Sequence, residues 1–127
     1  MPNLIQNLLL VMLGASLGGG CRYLFTLIES RLSTPIPIST LLVNIIGGLL
    51  AGIIAGYLLH KPDQTIRLFL IVGFCGGLTT FSSFSLETMK LLQNREFLMA
   101  LSLILFHFIG AIGATIIGFA LTQRFIS

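Results

Sequence analysis

From Met1 to Cys21 the chain carries no charged side chain, and apolar residues dominate the run. A bilayer core about 30 Å thick is crossed by about 20 helical residues, each rising about 1.5 Å. Met-Pro-Asn supplies no basic region of the kind that opens a signal peptide. The run therefore predicts a first transmembrane helix over about residues 4–27. The pattern repeats, with further spans expected at about 38–59, 68–86 and 97–121. Only 9% of the 127 residues are charged and 55% are hydrophobic, where a soluble domain carries about 25% charged residues. The expectation is an all-α integral membrane protein, one four-helix domain over 1–127, with no room for a soluble domain.

The formal charge of +3 does not point to nucleic acid, because the seven Lys and Arg stand one by one between apolar spans. Four spans place Lys61, Arg67 and Arg124 on one side and Arg31, Lys90 and Arg95 on the other. So even a balance gives the positive-inside rule nothing to act on, and the chain is expected to insert both ways round. An antiparallel homodimer would then join two half-sites into closed paths related by two-fold symmetry. Cys21 and Cys75 lie far apart without metal spacing and read as small buried hydrophobes.

The third span is unlike the others. Between Gly73 and Glu87 it holds three glycines and five hydroxyl side chains. Adjacent Gly76-Gly77 invites the backbone to leave the helix there. In lipid, a broken helix survives only where it is buried in protein or lines a watery cavity. Its half-helix ends offer amides to anions and carbonyls to cations. Thr79 or Thr80 is placed to cap the second half, and Phe81 and Phe84, three apart, share one side of it. Ser83 and Glu87 lie on a neighbouring face.

Elsewhere, Gly14 and Gly18 on the first helix, and Gly48, Gly52 and Gly56 on the second, are spaced four apart and favour close helix contact. Gly18-Gly19-Gly20 lacks the Lys-Ser/Thr of a phosphate loop and reads as close packing. Pro35 and Pro37 separate the first two helices. Arg22, late in the first span, is either a snorkelling anchor or part of an electropositive vestibule. Asn44 is either interhelical glue or a donor facing an ion path, with Thr40 on the same face. His107 stands alone inside the fourth span, where an ionisable group is a functional candidate.

Catalysis has little support, since no paired carboxylates, Ser/His/Asp set or two-His motif occur within the spans. Passive ion movement needs only donors that replace the ion's water and then release it. Asn44 offers amide donors; Thr40, Thr79, Thr80, Ser82 and Ser83 offer hydroxyls. The rings of Phe81 and Phe84 carry partial positive charge at their edges, which suits a small anion.

Taken together, these motifs resemble the Fluc (CrcB) fluoride channel family. The run Gly73-Phe-Cys-Gly-Gly-Leu-Thr-Thr-Phe-Ser-Ser-Phe-Ser-Leu-Glu87 is similar to that family's third-helix signature. Gly14-Ala-Ser-Leu-Gly-Gly-Gly-Cys-Arg22-Tyr and Thr40-Leu-Leu-Val-Asn44-Ile-Ile-Gly resemble its first- and second-helix motifs. The resemblance implies an antiparallel dual-topology homodimer in the bacterial cytoplasmic membrane, with two pores that export fluoride passively. It implies a structural Na+ at the dimer centre, held by the backbone carbonyls of Gly76 and Thr79. The family's phenylalanine pair maps onto Phe81 and Phe84, its pore asparagine onto Asn44 and its first-helix arginine onto Arg22. Ser83 stands where the family often has threonine. On the fourth helix, where members place hydroxyls along the pore, this chain has His107 with Ser102 and Thr115. A proton-coupled small multidrug-resistance-type exporter is the rival, but it needs a carboxylate deep in the first helix, and none precedes Glu29. An assembly subunit without transport would not need a broken third helix.

Overall fold

The computed structural model describes residues 3–34 and 36–126, and those residues form helices and short connections without strands. Four spans are long and apolar enough to cross a membrane: Leu4–Leu32, Ser39–His60, Gln64–Gln93 and Phe97–Ile126. We label the helices α1 (Leu4–Leu32), α2 (Ser39–His60), α3 (residues 64–78), α4 (Phe81–Gln93) and α5 (Phe97–Ile126). Each span outlasts the expected stretch at one end or both. The expected limits marked apolar residues alone, whereas helical hydrogen bonding continues into polar ends such as Glu29-Ser-Arg31 and Gln123-Arg124. Pro35 lies outside the described residues; Pro37 sits in the link before α2.

The two ends of the first link are tied by one carboxylate. Glu29 Oε1 accepts from the backbone N–H groups of Ile38 and Ser39, the latter at 2.9 Å, and Oε2 accepts from Ser39 Oγ at 2.6 Å. The first amides of a helix have no partner within it, and α1 here supplies one to α2. At the start of α3, Asp63 does the same locally, accepting from Ile66 N–H at 3.0 Å.

Helix contact follows the glycines. The most extensive pairing is α2 with α5, followed by α1 with α3. A Cβ on Gly52 would meet the Thr115 carbonyl of α5, and one on Gly18 would meet the Phe74 carbonyl of α3. In lipid such close packing, rather than hydrophobic burial, draws helices together. Thr122 Oγ1 adds a bond to the Ile53 carbonyl at 3.1 Å across the α2–α5 seam. The glycine triplet divides: Gly18 is in contact, whereas nothing lies within 4 Å of a Cβ placed on Gly19 or Gly20.

Within α3, residues Arg67–Cys75 wind as a π-helix, a form frequent at functional sites that the residue pattern did not announce. Gly76 and Gly77 stay helical, so the expected departure at the glycine pair is corrected. Gly76 has φ −62° and ψ −37°, and its N–H donates to the Gly73 and Ile71 carbonyls. Gly77 instead allows α1 to approach, because a Cβ there would overlap the Ala15 carbonyl. The extended residues are the next two, Thr79 (φ −82°, ψ 154°) and Thr80 (φ −151°, ψ 116°).

A candidate ion site beside Thr79 and Thr80

Two consecutive extended residues inside an apolar bundle leave backbone groups without helical partners, and in lipid each such group costs several kcal/mol unless bonded (~2–7). Asn44, on α2, meets Thr80 on both sides. The Thr80 N–H donates to Asn44 Oδ1 at 2.7 Å, and Asn44 Nδ2 donates to the Thr80 carbonyl at 3.0 Å. Thr79 looks backwards: its N–H and its Oγ1 both donate to the Cys75 carbonyl, at 3.0 and 2.8 Å. Thr80 looks forward as the N-cap of α4, its Oγ1 accepting from Ser83 N–H at 3.2 Å and donating to Ser83 Oγ at 3.2 Å. From α1, Arg22 Nε donates to the Gly77 carbonyl at 3.1 Å. A cation near the C-terminal end of a helix is favoured by the helix dipole, and this bond joins α1 to the end of α3.

Beside the interruption lies an open cavity of about 480 Å3, lined by Asn44, Gly76, Thr79, Thr80, Phe81, Phe84 and His107 among others. Phe81 and Phe84 meet edge to face with ring centroids 5.4 Å apart. Phe84 also stacks against the His107 ring at 4.3 Å and meets Phe108 edge-on at 6.3 Å. His107 is buried, and its Nδ1 lies 3.2 Å from Asn44 Nδ2. The cavity therefore gathers an amide, a threonine pair, an imidazole and aromatic edges from α2, α3, α4 and α5.

Of the expected hydroxyls, Thr40, Ser82 and Ser83 do not line it. Thr40 is buried one turn before Asn44 and donates to Glu87 Oε1 at 2.6 Å. Ser83 lies in the first turn of α4, its N–H donating to Thr80 Oγ1 and its Oγ accepting from the same hydroxyl. The Thr40 hydroxyl goes to a carboxylate, and the Ser83 hydroxyl accepts from the Thr80 hydroxyl that caps α4. Arg22 is likewise outside the lining. Sequence reasoning passed over Glu87 as a polar end of the span, although its Oε2 is buried with no partner among the described residues. Its place four residues after Ser83 was the available signal. Phe108 was also missed; it is one of several phenylalanines on α5, and only its neighbour Phe84 marks it out. No group of His, Cys, Asp and Glu able to hold a metal occurs among the described residues.

Fold and cavity define a small multi-pass helical membrane protein whose polar groups surround a void instead of assembling a catalytic set. The family model described as CrcB-like protein, Camphor Resistance (CrcB), matches residues 9–119. Relatives named fluoride-specific ion channel FluC align over most of both chains. That of Pseudomonas syringae pv. maculicola is 39% identical, covering 91% of this chain and 92% of its own. That of Escherichia coli O1:K1 is 38% identical, covering 91% and 94%. That of Francisella philomiragia subsp. philomiragia is 42% identical, covering 88% and 91%. The chain belongs to the CrcB family.

Proposed function

We propose that this protein is a fluoride-specific ion channel, not an enzyme, and that it lets fluoride leave the cell down its own electrochemical gradient. The observation that carries the reading is the paired rings of Phe81 and Phe84 beside the Asn44 amide, in a chain whose relatives bear that name. A bare fluoride gives up strongly bound water, so a conducting path must replace it with donors weak enough to release the ion. Ring edges and neutral N–H and O–H groups meet that need without a fixed positive charge. Asn44, Thr80, Phe81, Phe84 and His107 border this path; Thr40 and Ser83 stand behind it.

The working unit in this reading is an antiparallel homodimer of dual topology, multi-pass in the bacterial cytoplasmic membrane. Support comes from the even charge balance and from the open cavity, whose Phe81 is 70% exposed in a single chain. A second copy would close that face and complete two paths. Na+ fits at the centre of such a dimer. The Thr80 N–H goes to Asn44 and not back to the Gly76 carbonyl, and Gly76 lines the cavity at the C-terminal, electronegative end of α3. Hard oxygen ligands of this kind suit a hard cation, and the carbonyls of Gly76 and Thr79 would hold it, fixing the two copies together. The exporter reading loses its carboxylate: Glu29 ends α1 and is occupied in capping α2.

Purified protein in liposomes loaded with fluoride tests the proposal. Efflux without a proton gradient, and none with chloride, is the expected result. Liposomes that keep their fluoride, or lose it only when a proton gradient is applied, would overturn it.

A further inference from the structure

The cations divide evenly between the two ends of the bundle, but the carboxylates do not. Arg31, Lys90 and Arg95 stand toward the end where α2 begins, together with Glu29, Glu87 and Glu96. The opposite end, where α2 and α5 finish, holds Lys61, Arg67 and Arg124 against Asp63 alone. From Phe97 to Ile126 α5 contains no carboxylate. Asp63 is engaged besides, accepting from Ile66 N–H at 3.0 Å. Helix dipoles do not redress the balance. Here α1 and α3 start while α2 and α5 stop, so positive and negative helix ends offset one another. Membrane insertion reads Lys and Arg and takes little notice of Asp and Glu, so a chain without topological bias can still carry one positive end.

Two of its cations are brought to one corner. Gln123 Nε2 donates to the Gly56 carbonyl at 3.1 Å, which leaves Gln123 Oε1 to meet His60 Nε2 at 2.6 Å. That tie fastens the end of α2 to the last turn of α5. The next residue after each partner is an exposed cation, Lys61 on one side and Arg124 on the other. Lys61 Nζ lies over the half-buried Tyr57 ring, 6.0 Å from its centroid. Beside them Leu59 is 64% exposed and Phe125 84% exposed. Cations over an aromatic and an apolar rim match an amphiphile with an anionic head. We propose that the corner formed by Tyr57, Lys61 and Arg124 docks the phosphate of an anionic phospholipid, with Leu59 and Phe125 against its acyl chains. Each cation close to an anionic membrane surface is worth about fivefold in affinity, so the pair should favour an anionic over a zwitterionic lipid on the order of tenfold.

The chain holds two tyrosines and no tryptophan, so Tyr23→Phe leaves Tyr57 as its one strong fluorophore, and brominated acyl chains quench a fluorophore that they touch. Full-length Tyr23→Phe protein is placed in phosphatidylcholine vesicles with a minor, equal fraction of either brominated phosphatidylglycerol or brominated phosphatidylcholine. The brominated phosphatidylglycerol is expected to be enriched at Tyr57 on the order of tenfold over the brominated phosphatidylcholine. In about 1 M NaCl, where the screening length falls to about 3 Å, most of that preference should vanish. Lys61→Gln combined with Arg124→Gln should abolish it while quenching by brominated phosphatidylcholine stays as before, which shows the fold intact. Arg31→Gln combined with Lys90→Gln, at the opposite end, should leave the preference whole. Equal quenching of Tyr57 by the two lipids, a preference that survives the loss of Lys61 and Arg124, or one lost equally on altering the opposite end would overturn the proposal.

Discussion

Phe81 and Phe84 meet edge to face at 5.4 Å, yet Phe84 is 6% exposed and Phe81 is 70% exposed. One ring is set in the bundle against His107 and Phe108; the other leans on it from the open side of the cavity. Replacing either by Ile keeps apolar bulk and removes the positive edge. Ring-edge contacts between aromatic pairs are worth ~0.5–1.5 kcal/mol, and a loss at the upper end of that range corresponds to about tenfold in rate. Phe81→Ile and Phe84→Ile are each expected to slow fluoride efflux from liposomes by about that factor. Phe84→Ile should also lower the melting temperature, because it alone is packed on all sides. Efflux equal to wild type in both variants would remove the rings from the path.

Asn44→Asp tests the amide from another direction. The carboxylate keeps an acceptor for the Thr80 N–H, loses the donors to the Thr80 carbonyl and His107, and adds a charge beside the path. Two like charges ~4 Å apart at an effective dielectric of about 20 repel by ~4 kcal/mol, roughly a thousandfold in rate. The expected outcome is a protein that still elutes as wild type from a sizing column and passes no measurable fluoride. Retained efflux would show that Asn44 serves only to hold α2 to the Thr80 backbone.

Much of the membrane architecture was legible because lipid leaves few choices. Uncharged runs of about 20 residues become spans, and glycines four apart become seams, as Gly52 against Thr115 and Gly18 against Phe74 illustrate. What was illegible depends on partners distant in the chain. Gly76-Gly77 looked like the place where a helix ends, but glycine serves equally where another backbone comes close, and Ala15 on α1 decides between the two. Thr40 and Ser83 looked free to line a path; Thr40 donates instead to Glu87, 47 residues away, and Ser83 Oγ accepts from the Thr80 hydroxyl. No local pattern distinguishes a free hydroxyl from an occupied one. The π-helical turn over Arg67–Cys75 likewise leaves no mark in hydropathy.

Adjacent glycines should respond oppositely to the same change. At Gly18 an added methyl meets the Phe74 carbonyl of α3, and backbone cannot move aside as a side chain can; at Gly19 it meets nothing within 4 Å. Gly18→Ala is expected to force α1 from α3, costing on the order of 1–3 kcal/mol, the usual range for overpacking. Gly19→Ala should be neutral or stabilise by up to ~1 kcal/mol through helix propensity. Thermal unfolding of both variants in detergent checks this, and equal shifts would mean that α1 does not sit on α3 through its glycines.

The carboxylate link between α1 and α2 predicts a stability effect that leaves the ion path untouched. Ser39→Ala removes one bond to Glu29 Oε2, whereas Glu29→Ala removes all three and leaves the first α2 amides open. Losing a cap costs ~0.5–2 kcal/mol, so Glu29→Ala should unfold at a lower temperature than Ser39→Ala, and both below wild type. Fluoride efflux per folded protein should be unchanged, since neither residue lines the cavity. A Glu29 variant as stable as wild type would show that water caps α2 equally well.

Removing sodium tests what joins the copies. Burial of apolar surface gives helices little drive to associate in lipid, so a dimer held at Gly76 and Thr79 by a shared cation should depend on that cation. A bound ion stabilises the state that holds it by RT ln(1 + [L]/Kd), which is ~2.7 kcal/mol at about a hundred times Kd. Exchange of Na+ for the bulky N-methylglucammonium ion is therefore expected to raise the monomer fraction in detergent and to slow efflux in liposomes, both reversed by adding Na+ back. Thr79→Ser keeps the carbonyl and a hydroxyl for the Cys75 carbonyl, so it should retain the sodium response. Thr79→Pro, which lacks the N–H that bonds the same carbonyl, should weaken it by loosening the end of α3. A dimer of wild-type stability throughout sodium-free preparation would leave Gly76 and Thr79 without a cation, and glycine-faced packing alone would then have to account for the assembly.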